Sequence, residues 1–472
     1  MQVQDYGPTG RALFGGGASE TVMHPVVIVA VIVAIILILV APRKYALAAF
    51  LIINFVSPFG QQWNVGGMHF FVLRIVVLAG WARLAYTKLT SQTEIVSGGI
   101  NVIDKLFFLW AFFRTAATLI LYASVPALIN QGGFLLDVIG AYYFLRFLIR
   151  DQEDVIRAIK ITACLMLGIG ISMLYESLHS QNIFGYLGSV PIVPTIRQGA
   201  VRAQGPFGHP ILGGVFAATV LPLFVLLWKS EKSKLVSIAG IIGSTATVVG
   251  SASSTPLLAY LAVVLGICMW PLRKSMRLLR WGFVILLVAL QMVMKAPVWF
   301  IIDHVDLIAG NSGFHRASLI DGFFRHFFDW WLIGTKAAST WGYDMWDLAN
   351  EFVAQGEVGG LAMFVCFVAM VSIGFSWIGK ARKAVEGDRK QEWIVWLLGV
   401  TLFSHVVAFF GISYWDQTRV SWYALFAMIS AICVPILKSQ VVPQQAELAL
   451  PNSRLAYGPS SALASTRRRL TN

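Results

Sequence analysis

An all-α, polytopic membrane fold follows from three observations on this chain. Hydrophobic residues make up 57% of its 472 positions and charged residues only 12%. Soluble domains carry about 25% charge. The mean hydropathy is +0.72. Apolar runs of near-membrane length recur from end to end, and a hydrocarbon core about 30 Å thick needs roughly 20 residues per helix.

The runs cover residues 25–41, 45–58, 68–86, 105–123, 134–150, 155–176, 210–228, 235–251, 255–272, 281–302, 356–378, 393–410 and 420–437. They predict about thirteen transmembrane helices, of which the second is short. Basic residues fall in alternate connections: Arg43 and Lys44, Lys88 and Lys105, Arg150 and Arg157, Lys229 to Lys234, Arg273 to Arg280, and Lys380 to Lys390. The positive-inside rule places those connections and the C-terminus in the cytoplasm, and the N-terminus outside. The net charge of +13 is thus a topology signal and implies no nucleic-acid partner.

Residues 1–21 form a polar, Gly-rich leader without a cleavage-type flank, and residues 439–472 a polar cytoplasmic tail. Both are expected to be disordered. Residues 22–438 are one membrane domain. Cys164, Cys268, Cys366 and Cys433 have no metal or disulfide spacing and are expected as small core residues. No cofactor and no metal are predicted.

Two external loops exceed turn length, about 177–209 and 303–355, and long loops in compact proteins are commonly functional. The second is rich in Trp, Phe and Gly and predicts short helices at the membrane surface. Within it Leu319, Ile320, Phe323, Phe324, Phe327 and Phe328 recur at the spacing of one helix face.

The first loop ends in Arg202-Ala-Gln-Gly-Pro-Phe-Gly-His209-Pro-Ile-Leu-Gly-Gly214, which runs directly into an apolar helix. An arginine and a histidine at a membrane mouth suit an anionic ligand. The second loop supplies Arg316. Arginine donates two parallel hydrogen bonds to a phosphate, so two arginines meeting from separate loops would clamp a diphosphate. A carboxylate or histidine beside them would act as general base. Inside the apolar runs lie Arg74, Arg114, Asp137, Arg146 and His405, of which Arg74 and Arg114 are the candidates for an intramembrane role. A structural Arg–Asp pair is the competing explanation.

The stretch from Arg202 to Gly214 resembles the first signature of the O-antigen ligase and polysaccharide polymerase superfamily. His315-Arg316-Ala-Ser-Leu-Ile-Asp321, Asp329-Trp-Trp-Leu-Ile-Gly-Thr335, and the segment from Asp347 to Gly360 resemble pieces of its large periplasmic loop. Ser413-Tyr-Trp-Asp-Gln-Thr-Arg419 is similar to a later one. The resemblance covers about 197–437.

It implies a GT-C-like membrane glycosyltransferase of the bacterial inner membrane, active in surface or exopolysaccharide biosynthesis. Such an enzyme passes glycan from undecaprenyl diphosphate to an acceptor hydroxyl on the periplasmic face, with inversion and without a metal. Arg202, Arg316 and His209 would bind the diphosphate. The family's ligases carry a histidine where this chain has Ala349, and the chain resembles the subset with Asp-x-x-Asn, here Asp347 and Asn350. Asp347 is then the expected base, with Glu351 and Asp344 next and Asn350 beside them. Arginines nearby would hold the Asp347 pKa low. Capping of the following helix is the structural alternative for Asp347. Partners implied are the undecaprenyl-diphosphate-linked glycan, membrane lipid and other polysaccharide export components.

A polytopic polysaccharide or lipid-carrier transporter would also have many helices and buried charge. No internal repeat supports it. A non-catalytic assembly protein is the third reading, favoured by the missing histidine.

Overall fold

The computed structural model describes residues 22–90, 94–228, 233–304, 312–342 and 344–448. The leader 1–21, the tail beyond 448, and Lys229 and Lys232 of the orientation argument lie outside the described residues.

Helices α1 (Pro25–Val40) and α2 (Arg43–Val56) lead to a hairpin, β1 (Gln62–Val65) paired antiparallel with β2 (Met68–Phe71). Next come α3 (Val72–Thr90), α4 (Val102–Tyr122), α5 (Val125–Leu135) and α6 (Ala141–Leu148), the last two joined through a π-helical turn, 136–140. Helix α7 (Gln152–His179) is followed by a second hairpin, β3 (Thr195–Arg197) and β4 (Ala200–Arg202). Then follow α8 (Pro210–Leu227), α9 (Lys234–Gly250), α10 (Ser254–Cys268) and α11 (Met276–Val293). The second loop holds α12 (Ile301–His304), α13 (Ser312–Arg325) and α14 (Phe327–Trp330). Helices α15 (Glu351–Ala384), α16 (Arg389–Phe409) and α17 (Thr418–Leu448) complete the chain.

The fold is all-α with two small hairpins. Each predicted apolar run forms helix. Among the described residues, seven helices are long and apolar enough to cross a membrane: α4, α7, α8, α11, α15, α16 and the first 22 residues of α17. Helices α1, α9 and α10 are apolar but shorter. The run at 68–86 begins as a strand, because Met68–Phe71 pairs with Gln62–Val65. Helix α17 continues to Leu448, so residues 439–448, expected in the tail, are helical.

Local sequence sets the helix starts. Asn101 and Asp104 form a reciprocal capping box on α4. Asp151 caps α7, Asp388 caps α16, and Ser124 with Pro126 opens α5. Helix α8 is buried nearly all round, as its uninterrupted apolar sequence requires. Helices α7 and α9 meet through glycines. A Cβ on Gly243 would stand 2.2 Å from the Met166 carbonyl oxygen, so only glycine permits this approach. Cys366 and Cys433 are buried, whereas Cys164 and Cys268 are exposed and belong to no core.

Polar links separate the two ends of the bundle. At one end Arg43 pairs with Asp154 at 2.7 Å, Gln391 bonds Gln152 at 3.2 Å, and Arg273 pairs with Glu392 at 2.9 Å. The basic connections gather here. At the other end the two long loops pack on each other's neighbours, and the candidate residues lie there.

The second loop has its own small core of Ile320, Phe323, Trp330 and Val353. The Phe323 and Trp330 rings stack at 4.0 Å. The predicted face is broken at His326, and Phe324 and Phe328 point outward. Helix α15 starts at Glu351, ahead of the predicted 356, and breaks at Gly360 (φ +72°), where the Leu332 carbonyl leaves no room for a side chain.

Candidate functional site

The turn between β4 and α8 is held from three directions. The Glu176 carboxylate, at the end of α7, accepts from the Gln204 and Gly205 amides at 3.0 and 2.9 Å. Asp416 accepts from the Gly208 amide at 3.0 Å, and the Gln417 side chain donates to the Pro206 carbonyl at 2.9 Å. Each bond satisfies a backbone group that the turn leaves without a helical partner.

This rigid turn aims Arg202 at the start of α10. Its Nη2 donates to Ser253 Oγ at 2.7 Å. Arg316, from α13, donates through Nη2 to Thr255 Oγ1 at 2.9 Å. The two arginines therefore converge on hydroxyls two residues apart, and both are more than nine-tenths buried. Burial, and then the charge of Arg197, holds the Arg202 guanidinium below its usual pKa.

His209 takes part in the start of the next helix. It is the N-cap of α8, and its Nδ1 accepts from the Ile211 amide at 3.2 Å. Burial and the neighbouring Arg202 push its pKa down to about 4. At neutral pH the ring is uncharged, so it contributes no cation for a diphosphate.

A cavity of about 440 Å³ opens between α3, α4, α5, α15 and the loop before α17, and neither Arg202 nor Arg316 lines it. Its wall includes Arg114, Asp347, Glu351, Tyr414 and Arg419. Arg114 lies over the Phe134 ring at 3.9 Å. Arg419 donates to the Trp415 and Asp416 carbonyls at 2.5 and 3.5 Å. Arg114 stands within electrostatic reach of Arg419 and Glu351. Among the described residues neither arginine forms a direct ion pair. Arg74 does: it makes a two-pronged bridge to Asp137, 2.9 Å at both nitrogens, and donates to the His69 carbonyl at 2.6 Å. The pair is seated by the π turn that carries Asp137, and both residues line the cavity. Arg146 is likewise paired with Asp104 at 3.0 Å.

Asp347 is half-buried and reaches the fields of His315, Asp344 and Arg316. Its pKa is raised, contrary to expectation: burial outweighs the opposing pull of His315 and Arg316, and Asp344 adds to the rise. Asp347 does not cap α15 either. That position belongs to Asn350, fully buried, whose Oδ1 accepts from the Val353 amide at 3.1 Å. Asn350 thus has a structural role through Oδ1, while its buried Nδ2 has no hydrogen-bond partner among the described residues. Glu351 accepts from the Tyr414 amide at 2.7 Å and from Gln355 Nε2 at 2.5 Å. Gln355 in turn accepts from Trp110 Nε1 at 2.6 Å, and His405 Nδ1 lies 2.9 Å from the Tyr414 hydroxyl.

Sequence reasoning assigned no role to Arg419, Tyr414 or Asp416. Their signal was a charged break, Trp415-Asp416-Gln417-Thr418-Arg419, between two apolar runs. Burial raises the pKa of both Tyr414 and Asp416. Among the described residues no group of three or more His, Cys, Asp or Glu is placed to hold a metal. No family model and no curated protein matches this chain.

Proposed function

We propose that the chain is a membrane glycosyltransferase of the O-antigen ligase and polysaccharide polymerase kind. It takes glycan from undecaprenyl diphosphate and transfers it to an acceptor hydroxyl on the outer face of the inner membrane. About thirteen spans, with the cavity end outside and the basic connections inside, are part of this reading.

The observation that carries it is the cavity itself. Two arginines outside any direct ion pair, Arg114 and Arg419, share its wall with carboxylates that include Asp347 and Glu351. Glycosyl transfer needs that combination. The bond from the anomeric carbon to the diphosphate breaks, and negative charge grows on the leaving oxygen. Fixed guanidinium groups stabilise that charge in a low-dielectric site. The acceptor oxygen bonds to the anomeric carbon, and its proton passes to a carboxylate, for which Asp347 is the first choice. A raised pKa makes it a stronger base than an exposed aspartate. Arg202 and Arg316 are seated on the start of α10, outside the cavity lining, and Arg316 adds its field at Asp347.

Deletion of the gene and analysis of lipid-linked and surface glycan tests the reading. Single repeats accumulating on the carrier identify a polymerase. Long chains accumulating on the carrier identify a ligase. An unchanged profile of lipid-linked glycan refutes both.

A further inference from the structure

The aromatic residues that close the second loop's small core come in adjacent pairs: Phe323 and Phe324, Phe327 and Phe328, Trp330 and Trp331. The first member of each pair turns inward. Phe323 and Trp330 are 5% and 2% exposed, and Phe327 packs against the core they help to form. The second member turns away from that core. Phe324, Phe328 and Trp331 are 57%, 83% and 42% exposed, and Leu332 next to them 65%. Large apolar side chains recurring along the outer side of a helix mark a contact with protein or with membrane.

Depth in the bilayer decides between the two. Beyond its break at Gly360, α15 runs through residues 361–379 without a charged side chain. At 1.5 Å per residue that stretch is about 28 Å long, close to the roughly 30 Å of bilayer hydrocarbon. Leu361 thus stands at the hydrocarbon edge on the cavity's side, with Lys380 just beyond the opposite edge. The Trp331 carbonyl accepts from the Leu361 amide at 2.8 Å, and the Leu332 carbonyl lies against Gly360. Phe323 and Trp330 pack on Phe364, one turn deeper, with ring centroids 5.7 and 6.3 Å from it. Val365, next to Phe364, is 53% exposed, so the lipid-facing side of α15 continues directly into this region. A second span agrees: Trp299 and Ile302, just past the end of α11 at Val293, pack on the same core. Charges close by are paired, Arg325 with Asp321 at 2.6 Å and His326 with Asp329 at 2.9 Å.

We propose that Phe324, Phe328, Trp331 and Leu332 are a membrane-docking surface, seated among the lipid acyl chains of the leaflet on the cavity's side. Phenylalanine and leucine enter hydrocarbon, and tryptophan favours its edge. The surface moors the second loop to the bilayer. Arg316 lies two turns before Phe324 on α13, so the same mooring holds its guanidinium near headgroup depth. The surface requires only that α15 spans a bilayer, and it is independent of glycosyl transfer.

The test uses the full chain in lipid nanodiscs. The unmodified protein is illuminated in bilayers holding a phospholipid with a diazirine near the headgroup end of one acyl chain, and adducts are mapped by mass spectrometry. The peptide from Phe324 to Leu332 should carry adducts at a yield comparable to that around Val365. Adducts around Val365 with none at 324–332 overturn the docking surface. Spin labels then read the surroundings of single positions in a background lacking the four native cysteines: Phe324→Cys, Phe328→Cys and Leu332→Cys, with Val365→Cys as the lipid reference and Ser339→Cys as the water reference. At the three positions, collision with oxygen relative to a water-soluble nickel chelate should match Val365 and exceed Ser339 several-fold. A ratio like that of Ser339 overturns the surface. Weak collision with both reagents means that protein covers these residues, a second copy or another chain, and overturns it equally. Melting temperature and elution profile show which labelled variants fold, and the adduct map decides without them.

Discussion

Arg202 and Arg316, 114 positions apart by their numbers, donate to Ser253 and Thr255 at the first turn of one helix, at 2.7 and 2.9 Å. Each guanidinium donates through Nη2 to its hydroxyl, which fixes its direction, and the planar fork of an arginine suits a phosphate. Lysine has neither the fork nor the planar shape. Arg202→Lys and Arg316→Lys should therefore impair glycan transfer, and the alanine variants should lose roughly 10²–10³-fold. Turnover of purified variants on lipid-linked glycan checks this. Full activity of Arg316→Ala would sink the catalytic role.

The gathering of basic connections at the end opposite the cavity predicts sidedness. In a background lacking the four native cysteines, a cysteine at Ser339 should react with an impermeant reagent in intact cells, and one at Lys234 only after lysis. The reverse pattern would invert the orientation and place the cavity in the cytoplasm.

Helices were legible because each apolar run is long and its cap is local: Asn101 with Asp104, Asp151, and Asp388 all act within four residues. The hairpin at 62–71 was not, since Met68-His69-Phe70-Phe71 merges with the apolar helix behind it. Arg202, Arg316 and Asp347 stood out as charge at a membrane mouth. Their surroundings did not, because the hydroxyls that seat the arginines lie 51 and 61 positions away. The direction of the Asp347 pKa depended on burial against two opposing cations, a balance that only packing reveals.

Asp347 offers a test through pH. A base works in its ionised form, so activity falls as pH drops through its pKa. Burial raises that pKa, and the acid limb of kcat/KM should lie above the value of an ordinary aspartate, about 3.9. Asp347→Asn keeps the shape and removes the base. It should cost roughly 10²- to 10⁴-fold and abolish that limb. A variant that keeps wild-type turnover would assign the proton to Glu351.

The neutral cap His209 links stability to pH. Unfolded, a histidine titrates near 6.5; folded, this one titrates near 4 because burial and Arg202 oppose its charge. Between those values the unfolded chain binds more protons, so stability rises with pH. The contribution is fully present above about 6.5 and is lost as pH falls toward about 4, an effect on the order of 3 kcal/mol if the folded state does not rearrange. Only below about 4 does protonation of the folded ring remove the Nδ1 lone pair that accepts from the Ile211 amide, and with it the cap of α8. His209→Asn retains a capping acceptor and cannot titrate there. Apparent melting temperatures of wild type and variant in nanodiscs, measured from pH 7.5 to 4, should diverge below about 6.5, with wild type falling more steeply. Parallel curves would show that His209 is not the titrating group.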